Sequence, residues 1–375
     1  MKPEMTPNWN ALAHEEIVRL LRTADPAALE PLWKQADDVR NRFVGEAVHL
    51  RGLIEISNIC TAQCAYCGIR VKNSHVTRYL MTLDEILASV RLAESLGYGT
   101  VVLQSGESPA VMPDEWVTDV IRAIRRVSQL AITLSLGERP ANDYQAYRDW
   151  AAAGANRYLI RFETSNPDLF HRLHPGHPGL EVRLKALARL RDAGFEIGSG
   201  VMVGVPGQSW DDLANDIELF RTLNLNMIGV GPFLPHPETP LGKEFLEQKE
   251  KKNFIQNSFG PDSASDPEIV PNDELTTLKT VALTRLVCPR SNIPATTALA
   301  CIDRSMGHRN GLTRGANVIM PNVTPAKYRQ LYEIYPSKAS TAEAAELFDR
   351  ELKARILAIG RTIGSGPGNS ASWPE

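Results

Sequence analysis

Cysteine is scarce in this chain: there are five among 375 residues. Three crowd into Cys60-Thr-Ala-Gln-Cys64-Ala-Tyr-Cys67, and the others stand alone at Cys288 and Cys301. Secreted scaffolds carry their cysteines as paired bridges, so this distribution excludes a disulfide framework and favours reduced thiols that hold a metal. Long apolar runs are missing too. The opening stretch MKPEMTPNWNALAHEEIVRLL sets acids among its leucines with no apolar core of signal-peptide length, and no later run approaches a membrane span. The expectation is a cytoplasmic protein. Neither sign of charge dominates, with 41 Lys and Arg against 44 Asp and Glu and a formal net charge of -3. That balance leaves no basic face for nucleic acid or an anionic membrane, and the expected partner is a small molecule or a protein.

What is present is a repeating alternation. Two amphipathic helical segments, 10–23 and 27–44, precede eight short β-branched runs at 53–57, 100–104, 130–136, 157–162, 196–205, 226–231, 292–297 and 316–321. Helical patterns lie between many of them, at 82–97, 114–128, 142–154, 180–194 and 209–223. Several open on Thr, Asp, Asn or Ser suited to N-capping, and three close on a glycine. Eight β/α alternations without a break in composition predict an α/β fold of the (β/α)8 TIM-barrel type, with an open doubly wound sheet as the alternative. The expected organisation is a helical extension over 1–45, a barrel over 46–340 and a C-terminal helix with a disordered tail over 341–375. An insertion at 242–273, running from a charged helical pattern into a Ser/Pro/Asp-rich loop, has the character of a lid on a βα loop.

The three clustered cysteines fall just after the first strand. Structural zinc sites and ordinary iron–sulfur clusters use four protein ligands, so three thiolates leave one coordination position open. A zinc site completed by His75, Cys288 or Cys301 and a redox pair formed by Cys64 and Cys67 remain alternatives at this point. The other unusual polar stretches also lie at strand C-terminal ends, which share one face of a β/α barrel, the face where catalysis takes place. They are QSGES (104–108), SLGE (135–138), RFETSNP (161–167), MVGVPGQ (202–208), GPFLPHPETP (231–240), PATTA (294–298) and MPN (320–322). Glu163 ends an apolar strand and suits an amine or a hydroxyl, while Arg161, two residues earlier on the same strand face, suits a carboxylate. Gly106 permits close backbone approach. Two threonines at a strand end, Thr296 and Thr297, and two tyrosines three apart, Tyr332 and Tyr335, suit a small anionic or amino-acid-like ligand.

The spacing CxxxCxxC, with Tyr66 before the last cysteine, resembles the radical S-adenosylmethionine (SAM) superfamily. The stretches RYLMTLDEI, VVLQSGE, TLSLGE, RFETSNP, MVGVPGQ, GVGPFLPHPETPL, LKTVALTR, NIPATTA, GANVIMPN and YRQLYEIYP, over roughly 45–340, are more specifically similar to the HydE family of FeFe-hydrogenase maturases. Methylornithine synthase and biotin synthase are more distant relatives by resemblance.

That resemblance implies one [4Fe-4S] cluster on Cys60, Cys64 and Cys67, with SAM on the fourth iron. It implies Tyr66, Ser105, Gly106, Glu163, Arg183 and Met202 around SAM. In the closed cavity below it implies Arg161, Thr296, Thr297, Met320, Tyr332 and Tyr335 for a small substrate. It further implies a 5′-deoxyadenosyl radical, a reductant such as flavodoxin or ferredoxin, and other hydrogenase maturases as companions. The family's reaction processes a cysteine-bound iron carbonyl cyanide precursor. Some members hold a second cluster on C-terminal cysteines, whereas here no cysteine follows Cys301. An amino-acid mutase of methylornithine synthase type is the alternative within the same chemistry, and a non-catalytic iron–sulfur or zinc protein the alternative outside it.

Overall fold

Short, mostly buried runs rich in β-branched and aliphatic residues give eight strands among the residues that the computed structural model describes, 12–259, 268–336 and 345–373. They are β1 (Ala47–Ser57), β2 (Thr100–Ser105), β3 (Ala131–Ser135), β4 (Arg157–Leu159), β5 (Glu196–Val203), β6 (Met227–Pro232), β7 (Val318–Ile319) and β8 (Thr362–Ile363). Every pairing is parallel, in the order β6-β5-β4-β3-β2-β1-β7, with β8 beside the start of β1. The strand expected at 292–297 is reduced to single bridges. Even so, Asn292 donates to the Asn226 carbonyl at 2.8 Å, Ile228 to Asn292 at 2.9 Å and Ala295 to Val318 at 2.9 Å. These bonds carry the ladder from β6 to β7 and so close the ring. Pro294 has no N–H to give, and the Asn317 side chain takes the Ile293 amide instead.

Capping follows the sequence in part. Thr82 and Ser209 each form a capping box, with Glu85 and Asp212, at the starts of Leu83–Ser95 and Trp210–Thr222, an arrangement worth about 1 kcal/mol each. Asp114 instead sits inside its first turn and pairs with Arg139 at 3.3 Å. The expected start at Asn142 is a left-handed stretch, Asn142 to Tyr144. Outside the ring the helices His14–Arg22 and Pro26–Val44 lie against Trp210–Thr222 and Glu274–Val287. The buried Lys279 holds the first of them by donating to the carbonyls of Leu21 and Thr23. Of the expected insertion, the first part belongs to the helix Pro240–Phe259, residues 260–267 lie outside the described residues, and Val270 returns to bond the Gln208 carbonyl at 3.0 Å.

One expectation is overturned. The tail, read from its glycine- and serine-rich composition as disordered, crosses the N-terminal end of the barrel. Arg157 donates to the Pro367 carbonyl at 2.9 Å and to Asn369, and Arg51 donates to the Gly368 carbonyl at 3.0 Å. Ser370 N–H donates to Glu196 at 3.0 Å. Two buried guanidiniums in the floor need acceptors, and the tail's backbone supplies them.

Candidate active site at the strand C-terminal ends

The cysteine loop is shaped by backbone contacts from four directions. Thr61 N–H donates to the Glu107 carbonyl at 2.7 Å, Ala65 to Leu173 at 2.8 Å, Gly68 to Ile334 at 2.9 Å, and Leu241 donates back to Ala65 at 3.0 Å. Arg78 gathers four carbonyls, those of Asn58, Ile69, Arg70 and Asn73. Cys60, Cys64 and Cys67 are free thiols on one wall of a cavity of about 520 Å³, within the ordinary range for small-molecule sites. Burial pushes all three thiols up, Cys64 to about 12 with Cys60 beside it as a further cause.

Thiolates so placed need a cation, while a redox CxxC needs thiol pKa values moved the other way. Among the described residues no three His, Cys, Asp or Glu side chains gather around a single ion. The residues proposed to complete a zinc site are scattered: His75 is exposed, Cys288 is buried at the end of Glu274–Val287, and Cys301 lies on Thr297–Ile302. Cys60, Cys64 and Cys67 share one cavity wall, a donor set that a cluster with irons ligated one by one would use.

Beside that loop, Ser105 and Gly106 line the cavity. A Cβ on Gly106 would stand 2.4 Å from the Ile59 carbonyl oxygen and 2.8 Å from Cys60 Cβ, so only glycine lets the end of β2 meet the cysteine loop this closely. Glu163 has a left-handed φ of 66°, uncommon for a side-chain-bearing residue and characteristic of functional positions. Its N–H donates to Gly200 at 3.0 Å and its carbonyl accepts from Met202 at 3.2 Å, which hold the conformation.

Arg161 Nη2 lies 3.0 Å from Glu163 Oε2, yet the approach is not that of a hydrogen bond: Glu163 Oε2 and Arg161 Nε are both buried with no hydrogen-bond partner. The distance shows an ion pair and the angles show unspent bonding capacity. Burial raises the Glu163 carboxyl against the pull of Arg161 and Arg183. Leaving such atoms unmatched costs roughly 1–3 kcal/mol each, and a ligand with a donor and an acceptor in the right places recovers it.

Arg183 rises from the first turn of Leu180–Asp192; its Nε donates to Glu138 Oε1 and its Nη1 to the Arg161 carbonyl at 2.5 Å. Burial works against the charge of Glu138, but His177 at 3.1 Å and Arg183 outweigh it and hold the carboxyl below its usual range. Met202, Ala65, Leu173, Phe233 and Leu241 belong to a small apolar cluster joined by Tyr66 and Phe245, of which Met202, Phe233 and Tyr66 line the cavity. The Tyr66 hydroxyl lies 3.3 Å from His174 Nε2, and burial pushes that imidazole down to about 3.

The expected substrate residues divide. Arg161, Tyr332 and Tyr335 line the cavity. Thr296, Thr297 and Met320 are not on its wall: the Thr296 hydroxyl donates to the Val230 carbonyl at 3.1 Å and caps Thr297–Ile302, while Thr297 hydrogen-bonds Tyr335. Met320 is only partly buried beyond the end of β7. Conversely, Gln104, Glu107, Glu138, His174 and His177 do line the cavity. Glu107 and Glu138 stood in stretches already singled out at strand ends, and the histidines are spaced three apart in HRLHPGHPG, a signal open to sequence reading.

The family model described as the Radical SAM superfamily matches residues 54–220. The chain is 44% identical over 329 residues to the FeFe hydrogenase maturase subunit HydE of Thermotoga maritima, covering 88% of this chain and 85% of that protein. It is 28% identical to 3-methylornithine synthase of Methanosarcina acetivorans, over 92% and 85% of the two chains. A crystal structure of methylornithine synthase superposes with a TM-score of 0.73 at 21% identity, covering 95% of this chain and 96% of that one, and shows the same fold.

Proposed function

The chain belongs to the radical SAM superfamily and, within it, to the HydE family, and from that premise we propose that it cleaves SAM reductively at a [4Fe-4S] cluster. The resulting radical would act on a small substrate in the barrel, as a step in assembling the active-site cofactor of an FeFe hydrogenase. The observation that carries the reading is the meeting at one rim of three thiols, the Gly106 close approach and the half-satisfied Arg161–Glu163 pair. Cys60, Cys64 and Cys67 would hold three irons. Bound there together, cluster and SAM supply a reducing electron and a 5′-deoxyadenosyl radical.

The chain's own residues do the rest. Arg183 would meet the carboxylate of SAM and Glu163 would accept from its amine or ribose. Ser105 and Gly106 would bring backbone against its amino end. Met202 and Tyr66 offer the apolar shelf for a flat adenine. Arg161, Tyr332 and Tyr335 would present donors to the substrate. Thr297 acts through Tyr335, and Thr296 shapes the wall without touching it. A flavodoxin or ferredoxin as reductant, and other hydrogenase maturases as companions, complete the proposal.

Anaerobic reconstitution followed by SAM and dithionite should give 5′-deoxyadenosine, and Cys64→Ala should abolish it. A wild-type chain that binds iron and sulfide but never cleaves SAM would sink the reading. Because an ion pair of this kind also matches the two ends of an amino acid, a mutase is the second reading. Restoration of hydrogenase activity in a maturation mixture lacking HydE decides for the first, and its failure with SAM cleavage intact decides for the second.

A further inference from the structure

A guanidinium on a long flexible stem has no fixed direction until its nitrogens are engaged. For Arg183, Nε is taken by Glu138 and Nη1 by the Arg161 carbonyl. Those two bonds define the plane of the group without using Nη2, in a side chain 11% exposed on the cavity wall. Where its charge points is decided by what holds it.

Glu138 is itself tied on three sides. Its Oε1 also accepts from His177 Nε2 at 3.1 Å, and its backbone N–H donates to Glu107 Oε2 at 2.8 Å. The Glu107 carbonyl in turn accepts from both the amide and the hydroxyl of Thr61, at 2.7 and 2.9 Å, inside the cysteine loop. Gly137 makes the approach of the two acids feasible: its φ is 78°, and a Cβ there would stand 2.2 Å from the Glu107 carboxylate. A continuous path of hydrogen bonds therefore runs from the cysteine loop through Glu107 and Glu138 to Arg183.

We propose that Glu138 is a positioning residue, which with His177 sets the direction in which Arg183 receives the carboxylate of an amino-acid-bearing ligand and, through Glu107, keeps that direction in register with the cysteine loop. The proposal rests on the reading of this cavity as a SAM site. In this role Glu138 acts through Arg183, whose Nε it accepts from.

The test is anaerobic equilibrium dialysis of the cluster-loaded chain against two ligands, SAM and 5′-deoxyadenosine, which lacks the carboxylate. Glu138→Ala should lose SAM affinity on the order of tenfold at unchanged iron content, while 5′-deoxyadenosine binds as it does to wild type. Glu138→Gln, whose amide oxygen still accepts from Arg183, should keep most of the affinity. In an Arg183→Ala background, Glu138→Ala should add nothing further. Equal SAM affinity in Glu138→Ala and wild type overturns the proposal, as does a loss shared by both ligands, which would mark general loosening of the wall. If cluster-loaded wild type binds no SAM, the reading of the site fails, and that result is distinguishable from either outcome.

Discussion

Replacing Glu196 by glutamine removes one negative charge from the barrel floor at almost no change in volume. In the native chain Oε1 accepts from Arg157 Nε at 3.1 Å and Oε2 from the Ser370 N–H at 3.0 Å, with Arg157 fully buried. An amide offers one acceptor and one donor, so whichever way it is turned its NH2 faces a second N–H. Arg51 lies in the same floor with its Nε unmatched and burial pushing its pKa down to about 9 against the pull of Glu196, so losing the Glu196 charge is felt by two buried guanidiniums. Breaking a buried pair of this kind costs roughly 3–5 kcal/mol. With an unfolding entropy near 2.1 cal/mol/K per residue, a chain of this length loses about 4–6 °C of Tm. Thermal unfolding followed anaerobically by circular dichroism reads that shift. Trypsin at Arg361 reads the tail directly, since losing the Ser370 bond loosens residues 364–373 and should speed cleavage. SAM affinity should not move, because the floor is at the opposite end of the barrel. A Tm change below about 1 °C, or a tail no more accessible than before, would refute the account of the floor.

Two further outcomes are expected. Asp216 is fully buried and accepts from the Ser165 N–H at 2.5 Å and from Gln208 at 3.3 Å; burial pushes its carboxyl up to about 7. Between its ordinary pKa of 3.8 and about 7 the folded state holds a proton that the unfolded state has released. Its contribution to stability is therefore complete below pH 3.8 and fades as the pH rises through 7. Urea midpoints at stepped pH should show the advantage of wild type over Asp216→Asn shrinking across that window, and a constant gap would contradict the sign. For Gly106→Ala, a methyl group 2.4 Å from the Ile59 carbonyl oxygen forces the cysteine loop to shift, at roughly 1–3 kcal/mol. Iron retained per chain after reconstitution should fall several-fold, and full retention would mean that the loop yields freely.

Local pattern carried the strands and much of the rim. The β-branched runs lie where the ladder forms, and Thr82 and Ser209 cap as their spacing suggests. The first strand begins at Ala47, before the expected 53, because Arg51 and Gly52 break the apolar run in sequence but lie in the floor and wall of the ring. The tail escaped for a different reason. Its glycines, serines and proline have nothing of their own to bury, and what orders them are guanidiniums and an asparagine some 70 to 320 residues away in sequence, a pairing that no local period reveals.

At the site the cysteine spacing was legible because ligands to one group must be close in the loop. Glu138 is not legible as a site residue in sequence, since a single acid ending a strand resembles any turn residue, and it is distinguished only by Arg183 and His177 sharing its oxygen. Met320 rests on resemblance, and Thr296 and Thr297 on resemblance together with hydroxyls at a strand end; neither says which way a side chain faces.

The stoppered floor has a consequence for traffic. With Pro367 to Ser370 bonded across one end of the ring, the approach to the cavity is at the rim that carries the cysteine loop, Glu163 and Arg183. A ligand seated on those residues stands in the doorway. Binding should then be ordered, with the deeper molecule entering first and leaving last, so that SAM present in excess would act as a kinetic inhibitor of substrate entry.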